Sequence, residues 1–504
     1  MLIPFSYLKP KIIHPDRWKS RVIPCKLSSD LEFIRNCDNF IAVMKTCVNT
    51  MRVLTAIEKK PLMRFIEIIS VRESVRLSSK RFSHGTAAVS NATNVCSTLT
   101  DGPLSGIRII DLTRVLAGPF ATMVLSDLGA EVIKVEHPQK GDETRGWGPP
   151  FAGSESCYFL SVNRNKQSIA IDLKKAEGLS VIRDLAKQSD VLIENFIPGA
   201  LDRIGLGYDA LKTIAPQLIY CSISGYGPSG PYHKRPGYDV IAASVGGLVG
   251  VTGPEDGEPC KVGVAMTDLT TGLYAHGAIM AALLDRQRTG NGQKIDCNLL
   301  STQISCMVNL ASNYLNGDRE AKRWGTAHES IVPYQAFPTR DGYLTIGSGN
   351  NDQFAALCKA LDLTNLLDDN RFATNALRVK NRDDLLVTLK ERFRQKTTKE
   401  WLIILEGAPF PYGPINTIAQ AFSDPQVIHN EMIKTVHHPT VGLIKQVAPP
   451  VLYSSSHNKI RSAPPILGQH TKYVLSEIIG YSDCKIKQLI EQGAVASSDD
   501  LENS

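Results

Sequence analysis

Asp268 has the most informative chemical setting in the chain: it stands in the segment MTDLTTG (266–272), which opens a long Ala/Gly-rich stretch. An aspartate just ahead of a helix accepts hydrogen bonds from backbone N–H groups and lies at the positive end of the helix dipole. Both effects favour an ionised carboxylate at neutral pH. Such a carboxylate can attack an acyl carbon, but the same pattern also describes an ordinary N-cap. The residues by themselves leave both interpretations open.

Motifs for several other chemistries are absent from the sequence. The turn after IRIIDL is TRVLAGP, with one glycine where the dinucleotide-binding pattern GxGxxG needs three. GxxxxGK[ST], HExxH and GxSxG do not occur, which argues against phosphoryl transfer, zinc hydrolysis and serine hydrolysis. The eleven cysteines include no CxxC pair and no zinc-type Cys/His spacing. We therefore expect no metal site, and we expect Cys221 and Cys297 to be packed in the core.

Strand and helix patterns alternate from Leu104 onward, and these elements would position a site around Asp268. Buried-strand patterns occur in IRIIDL, EVIKVE, SIAID, DVLIEN and LIYCSIS, and a helix with Pro119 in its first turn separates the first two. Strands that alternate with helices indicate a doubly wound parallel α/β sheet. Residues 266–288 then predict a long helix ending at Gly290, and QKIDCNLL (293–300) predicts one more strand.

The character of the sequence changes near Trp324, which indicates a second, smaller α+β domain. The expected division is a large domain over 104–310 and 436–490, a small domain over 311–435, and a disordered polar tail over 491–504.

Residues 1–103 are expected to be a leader with a mitochondrial targeting segment and a linker. The stretch from Met63 is rich in Arg and Ser, and its apolar residues lie near helical spacing. Two glutamates weaken this interpretation, and a basic arm without a targeting role is the alternative. The leader predicts a location in the mitochondrial matrix.

Charge and hydropathy narrow the possible partners. The net charge is +6, but residues 1–100 carry 16 Lys and Arg against 7 Asp and Glu, a net +9, which leaves −3 for the rest. A nearly neutral body lacks the basic field that nucleic-acid binding uses, so no nucleic-acid partner is expected. No apolar run approaches the roughly 18 residues that a membrane span requires, so no membrane partner is expected either.

Several segments, in one order, resemble the family III CoA-transferases, which include formyl-CoA and carnitine CoA-transferases and α-methylacyl-CoA racemases. The segments are 103–147, 163–178, 190–211, 235–253 and 266–283, within a resemblance that spans about three-quarters of the chain. This resemblance implies a Rossmann-like large domain, a smaller α+β domain, and a homodimer of two interlocked chains. It also implies coenzyme A thioesters as substrates and no tightly bound cofactor.

By the same resemblance, Asp268 matches the family's catalytic aspartate, which attacks a thioester to give a mixed anhydride and free CoA thiolate. CoA combines a phosphorylated adenosine with a long pantetheine arm, so its site should combine cations with apolar walls. The matching positions are Val115, Leu116 and Ala117 near the thioester, His137 and Lys174 at the nucleotide end, Ile171 beside the adenine, and Asn195, Phe196 and Arg203 in the groove.

Within the family, DLTRVLAGP (111–119) and HESIVPYQAF (328–337) are most similar to members that move CoA from succinyl-CoA to a dicarboxylic acid such as glutarate or 3-hydroxy-3-methylglutarate. A dicarboxylate needs a cation for its far carboxylate. The candidates are Arg114, His233, Lys234, Arg235 and Arg323, in an order that the sequence leaves open.

The chain departs from the family pattern at two positions. Leu116 replaces the glutamine of formyl-CoA transferases, so backbone N–H groups near Ala117 are expected to stabilise the oxyanion instead. Tyr238 replaces the racemase histidine, and a phenol is a poor proton acceptor near pH 7, which argues against an isomerase. An inactive CoA-binding protein is the other alternative. The loop IGSGNN (346–351) resembles the family's mobile loop over the aspartate, or is a simple hairpin turn.

Overall fold

The computed structural model describes residues 102–502 of the chain. Its strands are numbered in chain order. They are β1 Arg108–Asp111, β2 Glu131–Glu136, β3 Phe151–Ala152, β4 Glu155–Ser156, β5 Lys166–Ile171, β6 Val191–Glu194, β7 Ile219–Ser224, β8 Lys294–Asn298, β9 Tyr334–Pro338, β10 Tyr343–Gly347, β11 Tyr412–Pro414, β12 Ile433–His438, β13 Gly442–Val447 and β14 Val495–Ala496.

The α-helices are numbered in the same way. They are α1 Ala117–Asp127, α2 Cys157–Val162, α3 Ala176–Ala186, α4 Ala200–Arg203, α5 Tyr208–Ile214, α6 Asp239–Val245, α7 Leu248–Val251, α8 Met266–Thr289, α9 Leu299–Ser305, α10 Val308–Gly317, α11 Asn351–Ala360, α12 Asn375–Lys380, α13 Arg382–Phe393, α14 Thr398–Ile404, α15 Ile418–Phe422, α16 Pro425–His429, α17 Thr471–Tyr473, α18 Asp483–Glu491 and α19 Ser498–Glu502. None of the helices within residues 102–502 combines the length and apolarity that a membrane span requires.

The central sheet has the strand order β14-β5-β2-β1-β6-β7-β8. The pairs from β5 to β8 are all parallel, and β14 joins the edge antiparallel to β5. The chain moves outward from β1 first to one side and then to the other, which is a doubly wound arrangement. The predicted α/β class and parallel sheet are therefore confirmed. In such a sheet, the crevice for a ligand opens at the carboxyl ends of the strands where the order reverses, here beside β1 and β6.

The two faces of this sheet are covered by separate apolar cores. Ile109 and Ile110 are adjacent in β1 and both are fully buried, but they belong to different cores, because successive strand residues point to opposite faces. α3 packs on one face through Val181 and its neighbours. α1 and α8 cover the other face, where Ile279 of α8 is fully buried. The long helix α8 is thus fixed to the sheet that carries the loops after β1 and β6.

A third core lies in the part of the chain after α10. It forms around the three-stranded sheet β11-β10-β9, where Phe337 stacks on Phe393 with ring centroids 4.8 Å apart. Phe393 also meets the edge of Trp401, whose indole N–H donates to the Phe393 carbonyl at 2.7 Å. This α+β arrangement follows the change in sequence character near Trp324. The predicted boundaries at 310 and 436 stay predictions.

The end of the chain differs from the predicted disordered tail over 491–504. Val495 and Ala496 pair with Ile171 and Ala170 of β5, and Val495 is buried. The apolar triplet of Ala494, Val495 and Ala496 interrupts the polar tail, and it covers the otherwise open edge of the sheet. The prediction of disorder is therefore wrong for the described part of this segment. The targeting segment and linker predicted before Leu104 lie outside the described residues, apart from Gly102 and Pro103.

Candidate active site

Asp268 is the third residue of α8, inside the first turn of the helix rather than ahead of it. Ala265 occupies the N-cap position and forms no side-chain hydrogen bond. The backbone N–H of Asp268 donates to Oδ1 of Asp239 at 3.0 Å. The carboxylate that accepts an N–H group from this turn therefore belongs to Asp239. The prediction that the Asp268 carboxylate itself caps the helix is wrong.

The protonation of Asp268 also departs from the sequence-based expectation. Burial raises the pKa of Asp268, and the charge of Asp239 raises it further, to about 7. Asp268 is half-buried, and Ala265 and Leu269 near it pack against a small apolar cluster that includes Leu116 and Val162. The expected capping bonds, which would have lowered the pKa, are absent from the described contacts of this carboxylate. Near pH 7, Asp268 is therefore not held fully ionised, which differs from the expectation from the sequence.

Asp268 lines a cavity of about 260 Å³ at the carboxyl ends of β1, β6 and β7. Five further residues that the sequence assigned to the site line the same cavity: Val115, Leu116, Ala117, Asn195 and Phe196. Arg114, Arg235 and Tyr238 are also in its wall. The cavity therefore combines the carboxyl groups of Asp268 and Glu143, apolar surface and two guanidinium groups in one small space.

A glycine of α8 allows this helix to approach the start of α1 closely. A Cβ atom on Gly272 would lie 2.7 Å from the carbonyl oxygen of Ala117 and 3.0 Å from the ring of Phe120. Any larger residue would push the backbones of the two helices apart. Gly272 thus brings the first turn of α8, with Asp268, next to the Leu116–Ala117 segment.

The loop after β1 has an uncommon backbone conformation at the cavity. Val115 has a φ of 70°, a left-handed value that is rare for a β-branched residue. Its N–H donates to both carboxylate oxygens of Asp142 at 3.3 Å. Next to it, the side chain of Asn195 accepts from the N–H of Arg114 at 3.0 Å and donates to the Arg114 carbonyl at 2.8 Å. These bonds from two neighbouring loops hold the strained turn.

Buried charges beneath this loop hold it to the sheet. Lys134 donates to the Thr113 carbonyl and to Asp142, both at 2.9 Å, and both charged side chains are fully buried. Burial by itself would raise the pKa of Asp111, but the charges of Lys166 and Lys134, with the Thr113 and Thr122 hydroxyls, lower it to about 2. Asp111 is therefore ionised, and its bond to the N–H of Thr113 at 2.9 Å fixes the start of the loop.

A second cavity of about 410 Å³ adjoins the first and shares Arg114, Glu143 and Phe196 with it. Three sequence-assigned residues of the nucleotide end line it: His137, Ile171 and Lys174. Its surface is mainly apolar, with the exposed amines of Lys140 and Lys174 at its rim. We call these two adjoining cavities the groove; lysine side chains line one of them and Asp268 lines the other.

Arg203 is the assigned residue that the structure does not bring to the groove. It ends the short helix α4 and its side chain is exposed, and it lines neither cavity. Arg323 also lines neither cavity. Its guanidinium donates to the backbone carbonyls of Gly250, Pro254 and Gly257. His233 lines a third cavity of about 370 Å³ with Lys294 and Asp296 and does not line the Asp268 cavity, although the two cavities share Phe196, Ile197, Pro198 and Ser224.

The sequence of the chain decides its family. Residues 104–471 match CoA-transferase family III. The chain belongs to this family. It is 56% identical to the succinyl-CoA:glutarate CoA-transferase of Homo sapiens, over 78% of this chain and 90% of that protein. It is 42% identical to the succinate–glutarate CoA-transferase of Agrobacterium fabrum, over 75% of this chain and 96% of that protein.

A solved structure agrees with this assignment. The CaiB/BaiF family protein from Brucella suis is 43% identical and has a TM-score of 0.69, and the match covers 75% of this chain and 99% of that one. The chain is therefore a CoA-transferase, as the sequence motifs predicted.

Two features that the family resemblance singled out have a different form here. Tyr238, in place of the racemase histidine, is the N-cap of α6, and 60% of its surface is exposed. The loop 346–351 is not a hairpin turn, because it joins β10 to α11 and Asn350 caps that helix through the N–H of Gln353. In this single chain the loop does not line the Asp268 cavity.

Two neighbours of Asp268 were not predicted as functional residues of the CoA-transferase. Asp239 bonds the Asp268 backbone, and it precedes Asp268 by 29 positions in the sequence. Burial raises the pKa of Tyr158, and the charges of Asp268 and Asp239 raise it further, which places this phenol near both carboxylates. No local pattern signals either residue, because the contacts join α2, α6 and α8, which are distant in sequence.

Proposed function

We propose that this CoA-transferase moves CoA from succinyl-CoA to glutarate or a related dicarboxylic acid, such as 3-hydroxy-3-methylglutarate, through an acyl intermediate on Asp268. The observation that carries the proposal is the location of the Asp268 carboxyl group, which lines one cavity of the groove, of about 260 Å³, while lysines line the other. The 56% identity to a succinyl-CoA:glutarate CoA-transferase supports the substrate pair.

The proposed reaction uses only carboxylates and one thiolate. The ionised Asp268 attacks the thioester carbon, which forms a mixed anhydride and releases CoA thiolate. The thiolate then attacks the Asp268 carbonyl, so that succinate leaves and Asp268 carries CoA as a thioester. The acceptor carboxylate attacks this thioester to form a second anhydride, and the thiolate attacks its acyl carbon to release the new CoA thioester and Asp268. The atoms and charges of these steps balance without a proton, a metal ion or an oxidant from outside.

We expect CoA to lie along the groove. The apolar wall with Ile171 suits the adenine ring, and His137, Lys140 and Lys174 suit the phosphates. The pantetheine arm would pass Phe196 and bring the thioester to Val115–Ala117 and Asp268. The first turn of α1 has no side-chain cap, so the N–H groups of Ala117 and Gly118 are available for the oxyanion that Leu116 cannot stabilise.

Arg235 is the best candidate for the cation that binds the far carboxylate of the acids. Of the five candidate cations, only Arg114 and Arg235 line the cavity with Asp268. Arg114 is already paired with Glu143 at 2.5 Å. Arg235 lies over the Tyr232 ring, with its guanidinium carbon 3.9 Å from the ring centre, and it pairs with no carboxylate among residues 102–502. Its charge is therefore available to a ligand.

We also propose that the enzyme is a homodimer of interlocked chains in the mitochondrial matrix. Within the described residues α10 buries none of its side chains, although it carries Val308, Tyr314 and Leu315, which are 57–76% exposed. A helix with this composition needs a partner surface. The loop 346–351 would then face Asp268 of the partner chain. The Arg/Ser-rich stretch from Met63 supports import, with cleavage between Arg81 and Leu104.

A donor and acceptor assay tests the proposed function. Purified protein is incubated with succinyl-CoA and equal concentrations of glutarate, 3-hydroxy-3-methylglutarate or butyrate, and the CoA thioesters are separated by chromatography. We expect rapid formation of the dicarboxylic CoA thioesters and very little butyryl-CoA. Equal use of butyrate would contradict the binding of a far carboxylate, and the absence of any transfer would contradict the proposed function.

A further inference from the structure

Asp239 and Asp268 bring two carboxyl groups together at the start of two helices. Asp239 is the first residue of α6, and its Oδ1 accepts the N–H of Asp268 at 3.0 Å. α6 and α9 both pack against α8, and Thr267 next to Asp268 donates to the side-chain carbonyl of Gln303 on α9 at 2.7 Å. The first turn of α8 is therefore held by Asp239 through the backbone N–H of Asp268 and by Gln303 through the side chain of Thr267.

The charged groups around this pair do not neutralise it. In the cavity wall, Arg114 is paired with Glu143, and Arg235 lies over Tyr232. α9 carries no ionisable side chain, and the only one of α1, Asp127, is at its far end. Other ionisable groups on elements packed against α8 are Tyr220 and Cys221 on β7, and Lys294, Asp296 and Cys297 on β8. Two phenols also lie near the pair: Tyr158 of α2, and Tyr238 in the cavity wall. Of all charged neighbours, Asp239 alone shifts the pKa of Asp268, and it raises it.

A like charge beside a nucleophilic carboxylate has two chemical consequences. It makes the carboxylate more basic and therefore more reactive toward an acyl carbon. It also repels the ionised Asp268 carboxylate in the resting enzyme. This repulsion between Asp239 and Asp268 disappears when Asp268 becomes a neutral acyl anhydride or thioester. Both consequences favour acylation of Asp268, at the cost that fewer molecules are ionised at pH values below 7.

We propose that Asp239 is a positioning residue for CoA transfer: it holds the Asp268 backbone through its hydrogen bond and tunes the reactivity of the Asp268 carboxylate through its negative charge. The proposal rests on the proposed function, in which Asp268 is the acylated group. Asp239 itself forms no covalent bond and moves no proton in the reaction.

The test compares pH profiles of kcat/KM for succinyl-CoA in wild type, Asp239→Asn and Asp239→Glu. In wild type we expect activity to rise with pH to a plateau, with a midpoint near 7. In Asp239→Asn the midpoint should fall by about one pH unit or more, and the plateau by about threefold to tenfold, because the carboxylate is less basic. Asp239→Glu keeps the negative charge, so the midpoint of its pH profile should lie close to the wild-type value. A purely structural role would lower activity without moving the midpoint.

A matched control is Asp209→Asn. Asp209 is also an acid in the first turn of a seven-residue helix, but it is exposed and lines neither of the two cavities of the groove. Its replacement should leave the midpoint unchanged. An Asp239→Asn profile equal to wild type would overturn the proposal.

A second measurement covers the case in which Asp239→Asn does not fold. Wild type and Asp239→Ser are mixed with succinyl-CoA alone between pH 5 and 9, quenched with acid within one turnover, and the acylated fraction is read from the intact mass. Serine keeps an oxygen acceptor for the Asp268 N–H but removes the charge, so the acylation rate should rise with a midpoint near 7 in wild type and at a lower pH in Asp239→Ser. Equal midpoints in the two proteins would overturn the proposal. Acylation that persists in Asp268→Asn would instead refute the proposed function, so the two failures are distinguishable.

Discussion

The Nζ atom of Lys166 lies 3.0 Å from Oδ2 of Asp111, and both side chains are completely buried beneath the loop that carries Val115. Lys166 also donates to the Pro119 carbonyl at 3.0 Å and to Asn163 at 2.9 Å. The pair thus connects β1, β5 and the start of α1. Because the charges are buried and paired, removal of one partner leaves an uncompensated charge in the interior.

Asp111→Asn should therefore destabilise the protein by about 3–5 kcal/mol, measured by chemical denaturation at pH 7. The control is Asp285→Asn, which breaks the exposed pair with Arg288 and should cost less than about 1 kcal/mol. A similar cost for both variants would contradict the role of the buried pair. The pKa of Asp111 is lowered to about 2, so its contribution is present above about pH 4 and is lost as the pH falls toward 2.

Asp268→Asn should stabilise the fold at alkaline pH. The pKa of Asp268 is raised to about 7 in the folded protein, so the native state binds this proton more tightly than the unfolded chain and stability falls as the pH rises from about 4 to 7. Asparagine removes that cost and keeps the N–H bond to Asp239. We expect Tm to increase on the order of 2–4 °C at pH 8 and to change little at pH 4. An equal change at both pH values would show that ionisation of Asp268 carries no stability cost.

Arg235→Gln should weaken binding of acceptors that carry a second, far carboxylate. We expect KM for glutarate to rise about tenfold or more while butyrate remains a poor acceptor, because the variant loses a charge-assisted bond to the far carboxylate. Lys234→Gln is the matched control, since it removes an adjacent exposed charge that lines neither cavity of the groove. Steady-state kinetics with varied glutarate checks the prediction. An unchanged KM in Arg235→Gln would transfer the role to Arg114.

Lys174→Ala should weaken binding of the nucleotide end of CoA. We expect KM for succinyl-CoA to rise about fivefold to tenfold at low salt and kcat to change little, because a phosphate contact far from Asp268 binds substrate and transition state equally. Lys187→Ala, outside the groove and paired with Asp184, should leave KM unchanged. A loss of kcat in Lys174→Ala with an unchanged KM would contradict the proposed orientation of CoA.

The sequence predicted those parts of the structure that depend on local pattern. The apolar segments from IRIIDL to LIYCSIS form the parallel strands β1, β2, β5, β6 and β7, and Gly290 ends α8 with a φ of 74°. Family motifs also placed residues from three distant segments around one cavity, including Val115, Asn195 and Asp268. These features need only periodicity, turn residues or a match to known motifs.

The pKa of Asp268 could not be predicted from local sequence patterns. The sequence suggested that Asp268 is kept ionised by helix capping, whereas its pKa is raised because Asp268 is half-buried in the folded chain and Asp239 adds a like charge. Such contacts depend on the tertiary fold. The tail was mistaken for a similar reason: Val495 and Ala496 are too few to signal a strand, and the open edge of β5 gives them a partner.

The most direct test of the account is to find the atom that carries the acyl group. Wild-type enzyme is incubated with succinyl-CoA, treated with hydroxylamine or borohydride, and digested for peptide mass analysis, with Asp268→Asn treated in parallel. We predict that the peptide containing Asp268 is modified in wild type and unmodified in the variant, and that transfer by the variant falls by several orders of magnitude while its fold is retained. Retained transfer by Asp268→Asn, or modification of a cysteine peptide instead, would contradict the assignment of Asp268 as the nucleophile.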